Sequence, residues 1–374
     1  MSDPVQAIPY GMFIMPFHDP AKPLARCYDE DLELIVRAEE LGFAEFWIGE
    51  HHTMKYENIF SPEVFIGRAL GETRRIRLGP APALINLHHP ATLACRLACL
   101  DHLAQGRLNL CFGPSSVPSD YELYLADPKN AAEMVQEALD MILYLWTSEP
   151  PYEREGKYWT IRLKRSVDVE TGVGFLPKPL QRPHPPIAMP GMSRGSATMR
   201  LAGARGFQPF AHCIITGNVI ADLWKTYADA ARSAGRQPRR ADLRVARAIF
   251  LADTTAEAIR RVRGNSLRKN FEYIGRLFDK GGGRKLYKRD LAMSEADCNF
   301  DYLMTEQIIA GDPDQALRRL LALAEETGPF GTLVLMSYDW DDKQSWVHSM
   351  ELFARELMPA LNKALCGAPA PATA

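Results

Sequence analysis

The fold class this sequence predicts is α/β, a single (β/α)8 TIM barrel with two long insertions. Three observations predict it. Short apolar runs with strand character alternate with amphipathic helical runs along 374 residues, the pattern of a parallel sheet with crossover helices. No Pro-, Gly- or Ser-rich linker divides the chain, and no short-period repeat is present. Unusual polar residues fall just after the apolar runs, where a parallel barrel keeps its chemistry.

Each element has its own signal. Residues 8–15 read as the first strand. Residues 28–41 follow as a helix with Leu32, Ile35 and Val36 on one face, closed by Gly42. Residues 44–49 form the second strand, and 62–73 a helix with Pro62 in its first turn. The third strand lies in 75–87, broken by Pro80 and Pro82, and its helix spans 91–104. The fourth strand is 108–112 and its long helix 130–146. Strands at 186–189, 207–211 and 243–252 are followed by helices at 194–204, 218–234 and from 255. Helix 312–327, strand 332–336 and helix 343–365 close the barrel. Two segments interrupt the alternation. Residues 147–184 carry a small hairpin around Tyr158-Trp159-Thr160. Residues 264–301 hold Gly281-Gly282-Gly283 with Arg276, Lys280, Arg284, Lys285, Lys288 and Arg289, and are expected to be a mobile lid. The barrel is expected over 1–366 and a disordered Ala-Pro tail over 367–374.

The polar residues expected at the strand ends are specific. Phe46-Trp47-Ile48-Gly49 runs into Glu50, His51 and His52. Imidazoles at the end of a buried strand suit proton handling or ligand binding; the alternative is a Glu50–His pair that only ties the strand to the next loop. Asn86 and His88 follow the third strand; His88 and His89 either line the pocket or fix the turn before Pro90. Gly113-Pro114-Ser115 follows the fourth, His212 the sixth and Ser337-Tyr338 the eighth. Gly191-Met192-Ser193-Arg194-Gly195-Ser196 follows the fifth and opens a helix. Glycine permits close backbone approach, and a helix start offers free N–H groups, a combination that binds phosphate; simple capping by Ser193 or Ser196 competes with it.

Composition excludes several classes. Hydrophobic residues make up 47% and charged residues 24%, with a formal net charge of −2. That balance gives no field for nucleic acid or anionic membrane. No apolar run reaches transmembrane length, and the N-terminus carries no secretory pattern, so a cytoplasmic location is expected. The 7 cysteines form no Cys-x-x-Cys pair and read as reduced thiols. No spaced metal motif occurs. Adjacent His51 and His52 diverge from a strand, so no metal is expected.

At this point the chain resembles the bacterial luciferase-like superfamily of flavin-dependent monooxygenases. The resemblance rests on Trp47–His52, on His89-Pro90 with Leu100-Asp101-His102-Leu103-Ala104-Gln105-Gly106-Arg107, and on Gly191–Ser196 running into Met199-Arg200-Leu201-Ala202-Gly203. Ala310-Gly311-Asp312-Pro313 and Met358-Pro359 add to it. Within the superfamily, the stretches around Tyr158-Trp159 and Met199–Gly203 are similar to diketocamphane and limonene monooxygenases. The resemblance implies a (β/α)8 barrel, usually a homodimer, that takes reduced FMN from a separate flavin reductase. The flavin would activate O2 as a C4a-(hydro)peroxide and oxygenate a small apolar substrate, by Baeyer-Villiger-type insertion or hydroxylation. It makes His51 the catalytic histidine, with Glu50 orienting it. Gly113, Ser115, Gly191, Met192, Ser193, Arg194 and Ser196 would hold the cofactor. His52, Asn86, His88 and His212 would line the substrate pocket. One departure stands out: bacterial luciferase has Cys-Arg after the fourth strand, where this chain has Gly113-Pro114. A deazaflavin-dependent hydride transferase of the same fold, or a non-catalytic flavin-binding homologue, are the alternatives.

Overall fold

Strand Glu45–Ile48 shows why the sequence signals work: Phe46, Trp47 and Ile48 are each at most 1% exposed, so both faces of the run are covered, as in a parallel sheet under helices. A computed structural model describes residues 7–15 and 17–366 of the chain. The expected tail at 367–374 lies outside the described residues. The chain divides into two compact bodies, Met1–Phe46 with Gly191–Ala374, and Trp47–Pro190.

In the first body, strand Tyr10–Ile14 pairs in parallel with Thr332–Ser337, Tyr10 opposite Leu333. Thr332–Ser337 pairs with Arg244–Leu251, which also pairs with Gln208–Ala211 and with Ile308–Gly311. All these pairings are parallel. The inner layer carries a buried ion pair: Arg244 Nε and Nη2 donate to the two carboxylate oxygens of Glu45 at 2.8 and 2.9 Å. Gly11 is glycine because a Cβ there would stand 2.8 Å from Glu45 Cγ. Helices Leu24–Glu40, Ala197–Arg205, Gly217–Ser233 and Pro313–Thr327 belong to this body.

In the second body, Ala83–Leu84 pairs in parallel with Leu110–Gly113, and Leu110 and Cys111 pair with Ile187 and Ala188. Ala81 N donates to Ile48 O at 2.7 Å. The parallel register brings the ends of these strands to one edge. Helices Pro90–Leu103 and Ala131–Thr147 pack here, with Trp146 Nε1 bonded to Ala94 O. The 147–184 insertion forms the expected hairpin, Tyr152–Glu155 against Thr160–Leu163 in antiparallel register. It is anchored: Asp101 accepts from both Gln181 N and Gln181 Nε2, and Glu137 accepts from the turn N–H groups of Lys157, Tyr158 and Trp159.

Some elements differ from expectation. Strand Ile308–Gly311 was not foreseen; its apolar run is only Ile308-Ile309-Ala310, too short to carry a period. The third strand is broken at the prolines as expected, into Arg77–Pro80 and Ala83–Leu84. The 264–301 segment is not an open loop: Ser266–Lys280 is a helix burying Leu267 and Phe271, and Tyr287 and Cys298 are fully buried. Its cations are largely spent as well. Arg284 pairs with Asp279, Lys288 with Glu295, and Arg289 with Glu306 and Glu326.

Candidate active site

The second body gathers Glu50, His51, His52, Asn86, His88 and Ser115, all at the ends of its strands. Their contacts sort them into two groups, and alternation explains the sorting. Successive residues of an extended segment face opposite sides. Glu50 and His52 turn one way and His51 turns the other.

Glu50 accepts from His52 Nε2 and from His88 Nε2, both at 2.7 Å on Oε1, while Leu84 N donates to Oε2 at 3.0 Å. Burial opposes ionisation of this carboxylate, but the His52 and His88 hydrogen bonds outweigh it and hold Glu50 down at about 2. The expectation that Glu50 orients His51 is therefore corrected: Glu50 ties His52 to the loop after the third strand. His52 in turn stacks edge-on to Tyr124, ring centres 5.2 Å apart. Leu123 and Leu125, on either side of Tyr124 in the chain, are exposed apolar residues.

His51 sits between two carboxylates that the sequence did not reveal. Its Nε2 lies 3.2 Å from Glu57 Oε2 and its Nδ1 lies 3.7 Å from Asp120 Oδ2. Neither contact is aligned as a hydrogen bond, so His51 Nδ1 and Glu57 Oε2 are buried without a hydrogen-bond partner. Burial alone would depress the imidazole; the negative charges of Glu57 and Asp120 overcome it and raise His51 above its ordinary value. Glu57, almost fully buried, is itself pushed upward by desolvation. Asp120 moves the opposite way. Burial works against it, yet His51 together with the hydroxyls of Thr53 and Ser115 brings it to about 2. Thr53 Oγ1 donates to Asp120 Oδ1 at 2.6 Å and Ser115 Oγ to Asp120 Oδ2 at 2.8 Å. Tyr121 OH fixes Ser115 through its carbonyl oxygen at 2.7 Å. The short helix Pro118–Leu123 carries Asp120 and Tyr121.

Asn86 accepts from Ser115 N at 3.3 Å, and its Nδ2 is buried with no partner. Ser115 spends its hydroxyl on Asp120. Gly113 lies inside its strand, and glycine is required because a Cβ would meet Pro190 Cγ at 2.8 Å and Pro82 Cβ at 3.1 Å. His89 caps helix Pro90–Leu103, its Nδ1 accepting from Ala91 N at 3.3 Å.

The remaining expected residues belong to the first body. Gly191 ends its strand, followed by half-buried Met192 and by Ser193, Arg194 and Gly195, all exposed. Gly195 has φ +58°, a left-handed turn. Its N–H donates to Asp222 Oδ2 at 2.9 Å, so a carboxylate oxygen already occupies one donor of this loop. Ser196 Oγ caps helix Ala197–Arg205 by accepting from Met199 N. Arg194 makes only long bonds, 3.5 Å to Asn218 O and 3.4 Å to Arg289 O. His212 Nδ1 accepts from Ile214 N at 3.3 Å, and its ring meets Phe13 edge-on.

Among the described residues no helix is long and apolar enough to cross a membrane. Comparison with known proteins supplies the family. The model of luciferase-like monooxygenases matches residues 8–329. The 3,6-diketocamphane 1,6-monooxygenase of Pseudomonas putida is 30% identical over 95% of this chain and 98% of its own length. The 4-hydroxyprotoasukamycin monooxygenase of Streptomyces nodosus subsp. asukaensis is 32% identical over 97% and 95%. A structure of the oxygenating constituent of 3,6-diketocamphane monooxygenase from Pseudomonas putida, a type II Baeyer-Villiger monooxygenase in complex with FMN, superposes with a TM-score of 0.86 at 30% identity, covering 95% of this chain and 99% of that one. The α/β barrel class read from the sequence is that of these proteins, and the chain belongs to the luciferase-like monooxygenase family.

Proposed function

We propose that this protein is the oxygenating component of a two-component, reduced-FMN-dependent monooxygenase that transfers one oxygen from O2 to a small apolar organic molecule. Family membership and the likeness to an FMN complex support the cofactor. The observation that carries the chemistry is His51: a buried imidazole raised by two carboxylates, with its Nδ1 uncommitted.

The chain's own residues fit a flavin. Asn86 Nδ2 is a buried donor lacking an acceptor, suited to a carbonyl oxygen of a heteroaromatic ring. The Gly191–Ser196 turn leads into a helix start, where N–H groups and the positive end of the dipole favour a phosphate. Asp222 already accepts from Gly195 N, so the phosphate would take the remaining N–H groups of the turn. When bound, reduced FMN would supply the electrons that activate O2. His51 would hold a proton at Nδ1 or Nε2 and deliver it to, or recover it from, the transferring oxygen. Glu57 and Asp120 keep that proton available, and Thr53 and Ser115 hold Asp120 ionised. The exposed Leu123, Tyr124 and Leu125 favour an apolar substrate. Inserting oxygen beside the carbonyl of a ketone, which enlarges a cyclic ketone to a lactone, and hydroxylating a carbon are both compatible with this acid–base group.

The test supplies FMN, NADH and a flavin reductase with candidate ketones and terpenes under 18O2. Product gaining one 18O is expected. Substrate turnover without oxygen incorporation, or with reduced deazaflavin in its place, would reject the proposal.

The phosphate assignment is checked separately. The Ser193→Ala/Ser196→Ala double variant is expected to weaken FMN binding by about 1–3 kcal/mol, the scale of lost buried hydrogen bonds. Ser196→Ala also removes a helix cap worth about 1 kcal/mol of stability. The titration is therefore made well below the melting temperature. Unchanged FMN affinity would show that these serines only cap the helix.

A further inference from the structure

Glu50, His52 and His88 converge in a way the His51 chemistry does not use. Two imidazole Nε2 atoms approach one carboxylate oxygen, each at 2.7 Å, and the three donor atoms all lie within 4.8 Å of one another. Their rings stand perpendicular, at 85° with centres 5.7 Å apart. The carboxylate is held in advance by Leu84 N on its other oxygen. All three side chains are sheltered, at 1, 7 and 14% exposure.

We infer that Glu50, His52 and His88 form a binding site for one divalent transition-metal cation. Two imidazoles and a carboxylate make a borderline N2O donor set, which selects the zinc, cobalt and nickel class over magnesium or calcium. Three protein donors leave positions open for water. Ligands about 2.1 Å from an ion stand roughly 3.0–3.4 Å apart, so each imidazole has to draw back only slightly from the Glu50 oxygen. Metal binding requires each imidazole proton to sit on Nδ1. That tautomer gives up the two Nε2–H bonds Glu50 now accepts, and the metal takes their place; His52 Nδ1 makes no hydrogen bond that has to give way. His51 takes no part, because it points toward Glu57 and Asp120.

A second cluster among the described residues shows the contrast. His18, Glu30 and Asp339 also lie within ligand distance of one another, but the Lys22 ammonium bonds both carboxylates there. A fixed cation already occupies that position. At Glu50 no lysine or arginine is paired with the carboxylate among the described contacts. The site is missed by sequence spacing because His88 lies 36 residues beyond His52, outside any short ligand motif. The expectation of no metal is revised accordingly.

The experiment uses the full chain, freed of metal by a chelator and exchanged into metal-free buffer. Cobalt(II) chloride is titrated in while visible d–d absorption is recorded, and zinc affinity is measured by competition with a chromophoric chelator. One saturating equivalent is expected. His88→Ala and His88→Gln should each weaken binding by at least about tenfold, since even supporting residues of metal sites cost that much. His348→Ala, which removes an exposed imidazole paired with Asp253, should bind as wild type. Circular dichroism and a metal-free melting curve show whether each variant is folded. His88→Gln keeps a donor for Glu50 and decides the matter if His88→Ala does not fold. Absence of saturable binding in the wild type, or equal affinity in wild type and the folded His88 variants, overturns the inference.

Discussion

Replacing His51 with alanine is expected to leave FMN binding nearly intact while cutting product formation by about 10²–10⁴-fold, the usual worth of a positioned acid–base group. The flavin would still be oxidised, and hydrogen peroxide would appear in place of oxygenated product. The expectation follows from where His51 stands. It is 5% exposed, faces two carboxylates, and makes no aligned hydrogen bond through Nδ1. A histidine kept for packing would have its nitrogens satisfied. Glu57 and Asp120 raise the imidazole, so a step in which it donates its proton should fail as pH rises through its folded value. Asp120→Asn removes one of the charges that raise it. The high-pH limb of the coupled rate should then move to lower pH, with FMN affinity little changed. Wild-type coupling in His51→Ala, or an unmoved limb in Asp120→Asn, would return His51 to a structural role.

How much of this site was legible depends on how each residue is encoded. Glu50, His51 and His52 end a continuous apolar run, and Asn86 and His88 end another, so their convergence follows from the parallel register alone. The division of labour among them was also encoded, in the period of two that sets Glu50 and His52 on one side and His51 on the other. That signal separated His51 from His52 but was not carried on to Glu50. Glu57 and Asp120 carried no such mark. Glu57 lies in irregular chain and Asp120 in a helix of 6 residues, where no hydrophobic period forms. The helix Ser266–Lys280 was legible from Leu267, Phe271 and Phe278 at helical spacing, but the surrounding charges and glycines read as a loop. Ser196 shows the reverse case: its capping role was foreseen as the alternative, and its hydroxyl does cap the helix. Capping and phosphate binding use the same helix end, so sequence alone could not separate them.

The largest stability effect is expected from a residue with no functional signal, His18. Its Nδ1 lies 2.7 Å from Asp339 Oδ1 and its Nε2 2.9 Å from Asp31 Oδ2. Lys22 bonds Asp339 and Glu30 beside it, and Ser266 Oγ donates to Asp339 O at 2.6 Å. One imidazolium thus joins the exit of the first strand, helix Leu24–Glu40, the exit of Thr332–Ser337 and the start of Ser266–Lys280. Burial would lower His18, but the Asp31 and Asp339 bonds prevail and raise it from 6.5 to about 9. His18→Ala strands two buried carboxylates and is expected to cost about 3–5 kcal/mol, the scale for breaking a buried pair from one side. The pH dependence has a definite sign. A histidine raised on folding stabilises fully below its unfolded value near 6.5, and that contribution disappears as pH climbs through about 9. A rise of this size corresponds to about 3 kcal/mol. Asp31 opposes part of it, since burial pushes its carboxyl up; that penalty grows from the unfolded aspartate range to the raised folded value and is constant above it. Asp339 is lowered despite its burial, by His18 and Lys22, and its stabilisation is lost only in acid. Between pH 6.5 and 9 the wild-type urea midpoint should therefore fall, while that of His18→Ala should stay comparatively flat. Parallel declines in the two proteins would show that another group titrates in this window and that His18 is not its source.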